Sequence, residues 1–493
     1  MLKTIIGLEI HIQLNTKSKM FCGCNNPASR SLGEGGNAEN KEPNSVVCPV
    51  CMGFPGTLPI ANIDAIKKTI KTGLALNCKI PTESKFDRKH YFYPDLPKNF
   101  QISQYDEPFC CNGKMEIQNP KSKIQKIRIN RVHLEEDAGK LIHPKGAGYT
   151  LVDMNRCGTP LMEIVTEPDI DSPKLAKILL KELRLIIRYL GVSDADMEKG
   201  HLRCDANISV AKSQIPNPKS QTETTPIVEI KNMNSFRAVE AALSFEEQRL
   251  KDDFEELKKE KGKQTRSWDD EKSETRAMRR KEEASDYRYF PEPDIPPIKV
   301  NRKQLTDNNK KQYEINLEEI KKEVPELPEE RRKRYLKLGL NPKSAESIVA
   351  KKVYSDYFDK VIKLGGEPHK VYDIMINERA KNEIEPQVLV NALTLVAEGK
   401  ISNKILKEIL PEMIKKGTSA KEIIENKGLS QVSDENELKK IIKEVIKSNP
   451  GPISEYKKGK ESVLGFLVGQ VMKETHGQAN PVLTNKLLTE MLK

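Results

Sequence analysis

The sequence predicts an α+β protein in which a mixed sheet with a few helices is followed by a wholly helical half. Three observations lead there. Up to about Pro297 the chain is made of short apolar/polar alternations punctuated by glycines and X-Pro pairs. At Pro291-Glu292-Pro293-Asp294-Ile295-Pro296-Pro297 four prolines in seven residues forbid regular structure. Beyond them nearly every segment carries a helical period.

The first strand is expected at Ile5-Ile6-Gly7-Leu8-Glu9-Ile10-His11-Ile12, where Leu8, Ile10 and Ile12 alternate with Glu9 and His11. Side chains two apart share a strand face, so Glu9 and His11 stand together. Helices are expected over Asn62–Leu76, Pro173–Leu190 and Ser235–Lys261, the last opened by Asn234-Ser235 and closed by Gly262. In the second half Leu327-Pro328-Glu329-Glu330 opens one helix, and Asn341-Pro342 opens another with an N-cap and an early proline. A smaller terminal module is expected to begin near Pro411, and Gly477-Gln478-Ala479-Asn480-Pro481 precedes a last helix. The expected domains are therefore 1–297, 298–410 and 411–493, as 493 residues exceed one ordinary core.

Charge and cysteine usage narrow the function. Of the net +11, residues 298–493 carry +8, which suits a polyanion such as RNA as well as a lysine-rich solvated surface. No apolar run near 18 residues and no charged-then-apolar leader is present, so a cytoplasmic protein without a membrane span is expected. Nine cysteines, none after Cys204, do not form a disulfide framework in a chain this long. Cys22-x-Cys24 and Cys48-x-x-Cys51, joined by a loop containing Gly33, Gly35 and Gly36, form two knuckles spaced for a tetrahedral zinc. Four thiolates leave no open position, so that zinc would be structural.

The most informative stretch runs from Val132 to Glu163. It holds His133-Leu134-Glu135-Glu136-Asp137-Ala138-Gly139-Lys140 and Asn155-Arg156-Cys157-Gly158-Thr159-Pro160-Leu161-Met162-Glu163. Carboxylates, glycines and an arginine on strand-like runs can hold a divalent cation and a phosphate, and with Gly7-Leu8-Glu9-Ile10-His11 they point to a Mg-nucleotide site. There is no Gly-x-x-x-x-Gly-Lys-Ser/Thr loop, so an ATP site here is of another class.

These blocks, with Phe86-Asp87-Arg88-Lys89-His90-Tyr91-Phe92-Tyr93-Pro94-Asp95, Leu202-Arg203-Cys204-Asp205-Ala206-Asn207, Glu229-Ile230-Lys231-Asn232-Met233-Asn234-Ser235 and Asp286-Tyr287-Arg288-Tyr289-Phe290-Pro291, resemble the B subunits of the tRNA-dependent amidotransferases almost end to end. The resemblance implies a cradle-like catalytic domain, a helical domain and a small helical tail that contacts tRNA. It implies an ATP-dependent ligase that phosphorylates the side-chain carboxylate of Glu-tRNA(Gln) or Asp-tRNA(Asn). Ammonia from the A subunit, a partner amidase, then forms the amide in a heterotrimer completed by a C subunit. Carried over residue by residue, it gives His11, Glu136 and Glu163 as Mg2+ ligands supported by Glu9. Arg156 and Asp205 become phosphate or substrate contacts, and Lys89 and Tyr91, beside His90 and Tyr93, line the path of ammonia. The basic run Thr275-Arg276-Ala277-Met278-Arg279-Arg280-Lys281 is a further substrate contact or a solvated face. The competing expectation is a tRNA-binding scaffold without chemistry, which would not need to gather His11, Glu136 and Glu163.

Overall fold

The computed structural model describes residues 2–29, 41–118, 123–212, 223–278, 287–300, 315–427, 435–457, 460, 462–475, 479 and 481–492. Gly33, Gly35, Gly36 and the Arg279-Arg280-Lys281 end of the basic run lie outside them. The chain divides into two compact units, Met1–Leu327 and Pro328–Lys493.

The strands of the first unit are β1 (Leu2–Gln13), β2 (Glu83–Ser84), β3 (Asp87–His90), β4 (Phe100–Ser103), β5 (Cys110–Gln118), β6 (Ile124–Glu136), β7 (Lys140–Ile142) and β8 (Leu151–Asp153). They continue as β9 (Pro160–Thr166), β10 (Leu202–Lys212), β11 (Glu223–Thr224), β12 (Val228–Lys231), β13 (Gln264–Asp269), β14 (Glu274–Ala277), β15 (Phe290–Pro291) and β16 (Ile298–Lys299). One sheet runs in the order β14-β13-β12-β10-β1-β9-β6-β5, with β11 also on β10. It is mixed as expected: β12 and β13 are parallel, while β1 is antiparallel to both neighbours.

Alternation divides this sheet into two unlike faces. Ile6, Leu8, Ile10 and Ile12 of β1, Val132 and Leu134 of β6, Ile164 of β9, and Ala206 and Ile208 of β10 are buried in one core. The helices α1 (Ile63–Ala75), α2 (Pro173–Leu190) and α3 (Phe236–Asp252) add to that core Ile66 and Ile70, Leu179, Leu180 and Leu183, and Val239 and Leu243. Asn62 caps α1 by accepting from the amides of Asp64 and Ala65, and Ser235 caps α3 by accepting from Ala238 N. The third helix is shorter than its sequence suggests. It stops at Asp252, and only the single turn α4 (Phe254–Leu257) follows, since Asp253, at φ −95° and ψ 17°, leaves the helical region.

The proline cluster does not end the first unit. After Pro297 the chain forms β16 on β2, and Val300, Ile315 and then Leu317 and Ile320 of α5 (Leu317–Glu323) enter the first unit's core. The compact division therefore falls thirty residues beyond the boundary expected at Pro297, because apolar burial continues past the break in regular structure.

Among the described residues the named elements of the second unit are all helices: α6 (Pro328–Lys337), α7 (Pro342–Val349), α8 (Lys352–Lys363), α9 (Pro368–Tyr372) with a π-turn to Asn377, α10 (Pro386–Ala397), α11 (Asn403–Lys416), α12 (Ala420–Lys427), α13 (Glu435–Ser448), α14 (Pro450–Lys457), α15 (Val463–Glu474) and α16 (Pro481–Leu492). Pro411, where a new module was expected, lies inside α11 among the buried Ile409, Leu410 and Met413. A separate apolar cluster instead gathers Leu438, Ile442 and Val445 of α13, Leu467 and Val471 of α15, and Leu487 and Leu488 of α16. Among the described residues no helix is long and apolar enough to cross a membrane.

Gly73 tests the packing of α1 on the sheet. A Cβ there would come within 2.2 Å of Cys110 Sγ and 2.7 Å of its Cβ. Glycine to alanine in a helix ordinarily stabilises, by roughly 0.5–1 kcal/mol. Here overpacking reverses the sign, and Gly73→Ala is expected to lower the urea midpoint with a loss of about 1–3 kcal/mol.

Candidate active site on the open face of the sheet

The face opposite the helices is lined by polar side chains from neighbouring strands in register. His11 of β1, Glu163 of β9 and His133 of β6 are directly opposite one another, so three functional groups form a row across three strands. His11 Nε2 lies 3.4 Å from Glu163 Oε2, and His133 Nε2 lies 3.1 Å from the same oxygen. Glu135, two residues along β6 on the same face, brings its carboxylate 3.9 Å from His11 and 3.7 Å from His133. Ser103 Oγ donates to Glu135 at 2.9 Å, and Arg131 Nε donates to His133 Nδ1 at 3.3 Å. With Nδ1 accepting, the proton of a neutral His133 sits on Nε2, towards Glu163.

Burial opposes every charge in this row, and the opposite charges win. His11 is disfavoured as a cation by burial, but Glu163 and Glu135 raise its pKa to about 9. Burial pushes Glu163 upward, and His133 and His11 outweigh it, holding the carboxyl well below its usual range. Glu135 is likewise lowered against burial, chiefly by its hydrogen bond with His133. Ligand atoms of His11, Glu135 and Glu163 all lie within 4.8 Å of one another. One imidazole and two carboxylates form a hard donor set suited to Mg2+ or Mn2+.

Glu136, expected among the ligands, is not in this group. Being next to Glu135 on a strand, it points to the other face, where it pairs with the Lys98 ammonium and accepts from Ile102 N at 3.1 Å. In this structure Glu135, not Glu136, lies with His11 and Glu163, and His133 is their neighbour. Both follow from period two within β6, since residues 133 and 135 share one parity and 136 has the other.

The remaining expected residues spread along the same floor. Glu9 is directly opposite Asp205 and accepts from Asn207 Nδ2 at 2.8 Å. Asp205 pairs with the Lys231 ammonium, which lies 3.1 Å from Glu229. Arg156 donates to the carbonyls of Ala138 and Gly139, and its Nε is 3.7 Å from Asp137. Asp137 was not singled out by sequence, yet it is the hub here, accepting from Gln13 at 2.8 Å and Arg203 at 2.6 Å. Burial would raise its pKa, but Arg203 and Arg156 bring it down to about 2. On β3, the Lys89 ammonium lies 5.7 Å from the Tyr91 ring centre and 5.0 Å from that of Tyr287. Burial disfavours its charge, while Glu135 leads the groups that raise its pKa. Tyr91 donates to Gln101 at 3.2 Å, and Gln101 donates to the Glu136 carbonyl at 2.7 Å.

The four cysteines meet as their spacing suggested. Sulfurs of Cys22, Cys24, Cys48 and Cys51 lie within 4.8 Å of one another, near the roughly 3.8 Å edges of a tetrahedron with Zn–S bonds of about 2.3 Å. Cys48 N donates to Cys51 Sγ at 3.2 Å, and a hydrogen bond from Cys22 lowers the Cys51 thiol to about 5, so one member is already disposed to be a thiolate. These residues fit zinc.

Comparison with known proteins agrees with this architecture. The family model for the GatB/GatE catalytic domain matches residues 4–306, and that for the GatB domain matches residues 356–492. The chain is 46% identical to the B subunit of the aspartyl/glutamyl-tRNA(Asn/Gln) amidotransferase of Thermotoga maritima, with 99% of each chain covered. It is 47% identical to the protein of the same name from Thermodesulfovibrio yellowstonii, covering 100% of this chain and 99% of the relative. The B subunit of the Persephonella marina enzyme is 46% identical, again over 99% of each.

The two adjacent glutamates separate the geometric ligand set from the one expected by sequence. Glu135→Gln is expected to weaken Mn2+ binding, followed by electron paramagnetic resonance of the free ion, by about tenfold or more, the loss of one charged ligand being worth at least about 1.4 kcal/mol. Glu136→Gln should leave the Mn2+ affinity within a factor of about three.

Proposed function

The chain belongs to the family of aspartyl/glutamyl-tRNA(Asn/Gln) amidotransferase B subunits, and from that premise we propose that its sheet floor is where ATP phosphorylates the side-chain carboxylate of glutamate or aspartate misacylated on tRNA. The observation that carries this is the convergence of His11, Glu135 and Glu163 from three adjacent strands on the polar face of the sheet. A noncatalytic tRNA-binding scaffold has no use for carboxylates and an imidazole placed within reach of one shared cation.

A carboxylate is a poor electrophile for ammonia. Transfer of the γ-phosphoryl group of ATP to a carboxylate oxygen makes an acyl phosphate, which ammonia attacks at carbon, expelling inorganic phosphate and leaving the amide. Mg2+ held by His11, Glu135 and Glu163 would supply charge neutralisation for the transferring phosphoryl group. The chain's own side chains do the positioning. Asp137 holds Arg203 and Arg156 at one end of the floor, where their outward N–H groups suit an anionic phosphate or acyl oxygen. Asp205 and Glu229 hold the Lys231 ammonium farther along, with Glu9 and Asn207 beside it. Lys89, set against the Tyr91 and Tyr287 rings, makes that approach unfavourable to ammonium and open to neutral ammonia.

Ammonia would come from a partner amidase, the A subunit of a heterotrimer whose third member is the C subunit, in keeping with relatives that are themselves named as one subunit of an amidotransferase. The helices of the second unit lie within the stretch carrying +8 of the +11 charge and are proposed to meet the tRNA backbone. Zinc at the four cysteines would be structural. The reaction is proposed to take place in the cytoplasm, where aminoacyl-tRNA is used.

The test uses the chain assembled with its A and C partners, glutamyl-tRNA, ATP and free ammonia, so that the amidase is bypassed. Glu163→Gln and His11→Ala are each expected to lower amide formation by about a hundredfold or more, on the scale of losing a group aimed at transition-state charge, with tRNA binding retained. Undiminished amide formation in both variants would leave this chain only the scaffold role.

A further inference from the structure

Lys19 has less exposure to solvent than any other lysine described: its relative accessibility is 0%. Its ammonium donates to the Val46 carbonyl at 2.7 Å and faces Cys51 Sγ at 3.8 Å. No carboxylate among the described residues lies within ion-pair distance of it. A buried ammonium needs an anion close by, since desolvation costs several kcal/mol per ion. One carbonyl does not supply that charge. The Cys51 thiolate facing the ammonium supplies one unit, and with a metal bound the site becomes a lasting anion, because Zn2+ with the thiolates of Cys22, Cys24, Cys48 and Cys51 carries a net charge of −2.

We propose that Lys19 is the built-in counter-charge of the four-cysteine site, an ammonium hydrogen-bonded to the Cys51 thiolate that reduces the loaded cluster to −1 and slows loss of its metal. The proposal rests on the zinc reading above and adds a residue to it. A hydrogen bond to a metal-bound sulfur withdraws electron density from it, making that sulfur less ready to be protonated or captured by a competing electrophile. The surrounding chain keeps Lys19 in place. Lys19 N donates to the Cys24 carbonyl at 2.9 Å, and Met20 N to the Gly158 carbonyl at 2.7 Å. The lysine stem runs beneath Gly158, whose φ of +81° favours glycine there. Cys157 Sγ donates to the Cys51 carbonyl at 3.3 Å and Val46 N to Asn155 Oδ1 at 2.8 Å, so the knuckle and the loop bearing Arg156 are one hydrogen-bonded body.

The full chain is purified as wild type, Lys19→Met and Lys19→Arg, its zinc is counted by mass spectrometry, and release is followed with a chromophoric chelator. Wild type should carry one zinc per chain. Lys19→Met, which keeps the stem but not the charge, should release it at least about tenfold faster, the lower end of what removing such a partner costs in metal affinity, and Lys19→Arg should stay near wild type. If Lys19→Met does not accumulate folded, Lys19→Gln is read in the same way. Cobalt-loaded protein adds a spectroscopic readout, the thiolate-to-cobalt charge-transfer band moving to lower energy when the charge is removed. A loaded wild type whose neutral variants release zinc at the same rate, with an unmoved cobalt band, overturns the role of Lys19 while leaving zinc in place. A wild type that neither carries nor takes up one zinc overturns the zinc reading and this proposal together.

Discussion

Glu163 sits in the interior of a nine-stranded sheet with an imidazole on either side, and the first unit is organised around keeping that carboxylate charged. A buried carboxylate without partners would take up a proton. His11 and His133 prevent this because antiparallel pairing puts both directly opposite it, and any slip of one residue in either register would turn an imidazole into the apolar core. The apolar side chains behind, Ile10, Ile12, Leu134 and Ile164, fix those registers by their burial against α1, α2 and α3. Packing on one face thus sets the chemistry on the other.

The sequence made much of this legible, because alternation is a direct imprint of the sheet. The pairing of Glu9 with His11 on one face, the extents of α1 and α2 and the meeting of the four cysteines were all readable from spacing. At the glutamate doublet the resemblance pointed to Glu136, whereas parity with His133 puts Glu135 on the face of His11 and Glu163. Asp137, Arg203 and Lys231 were not legible as a network. They come from strands far apart in sequence, and no local pattern announces which strands become neighbours. The proline cluster at 291–297 marks a real interruption of regular structure, but burial of Val300, Ile315 and Ile320 carries the first unit past it.

Two charged networks flank the central row and share its logic. At one side Asp137 gathers Gln13, Arg203 and Arg156, and at the other Lys231 is held between Asp205 and Glu229. In each, carboxylates withdrawn from water are met by cationic partners, which offsets the cost of burying them. The cysteine knuckle adds hydrogen bonds on the Asp137 side, through Asn155 and Cys157, to a loop that Arg156 also ties to Ala138 and Gly139.

The place of β1 has a consequence in time as well as space. Its two neighbours are β9 and β10, and β10 begins about 190 residues after β1 ends. At synthesis rates of about 5–20 residues per second, the first strand leaves the ribosome roughly 10–40 s before its partner has been made. Through that interval Ile6, Leu8, Ile10 and Ile12 have no complete sheet to enter, although β9, which brings Glu163, is made before β10. The polar row is therefore among the late products of folding: a nascent chain carries an apolar strand that chaperones can hold until the sheet closes around it.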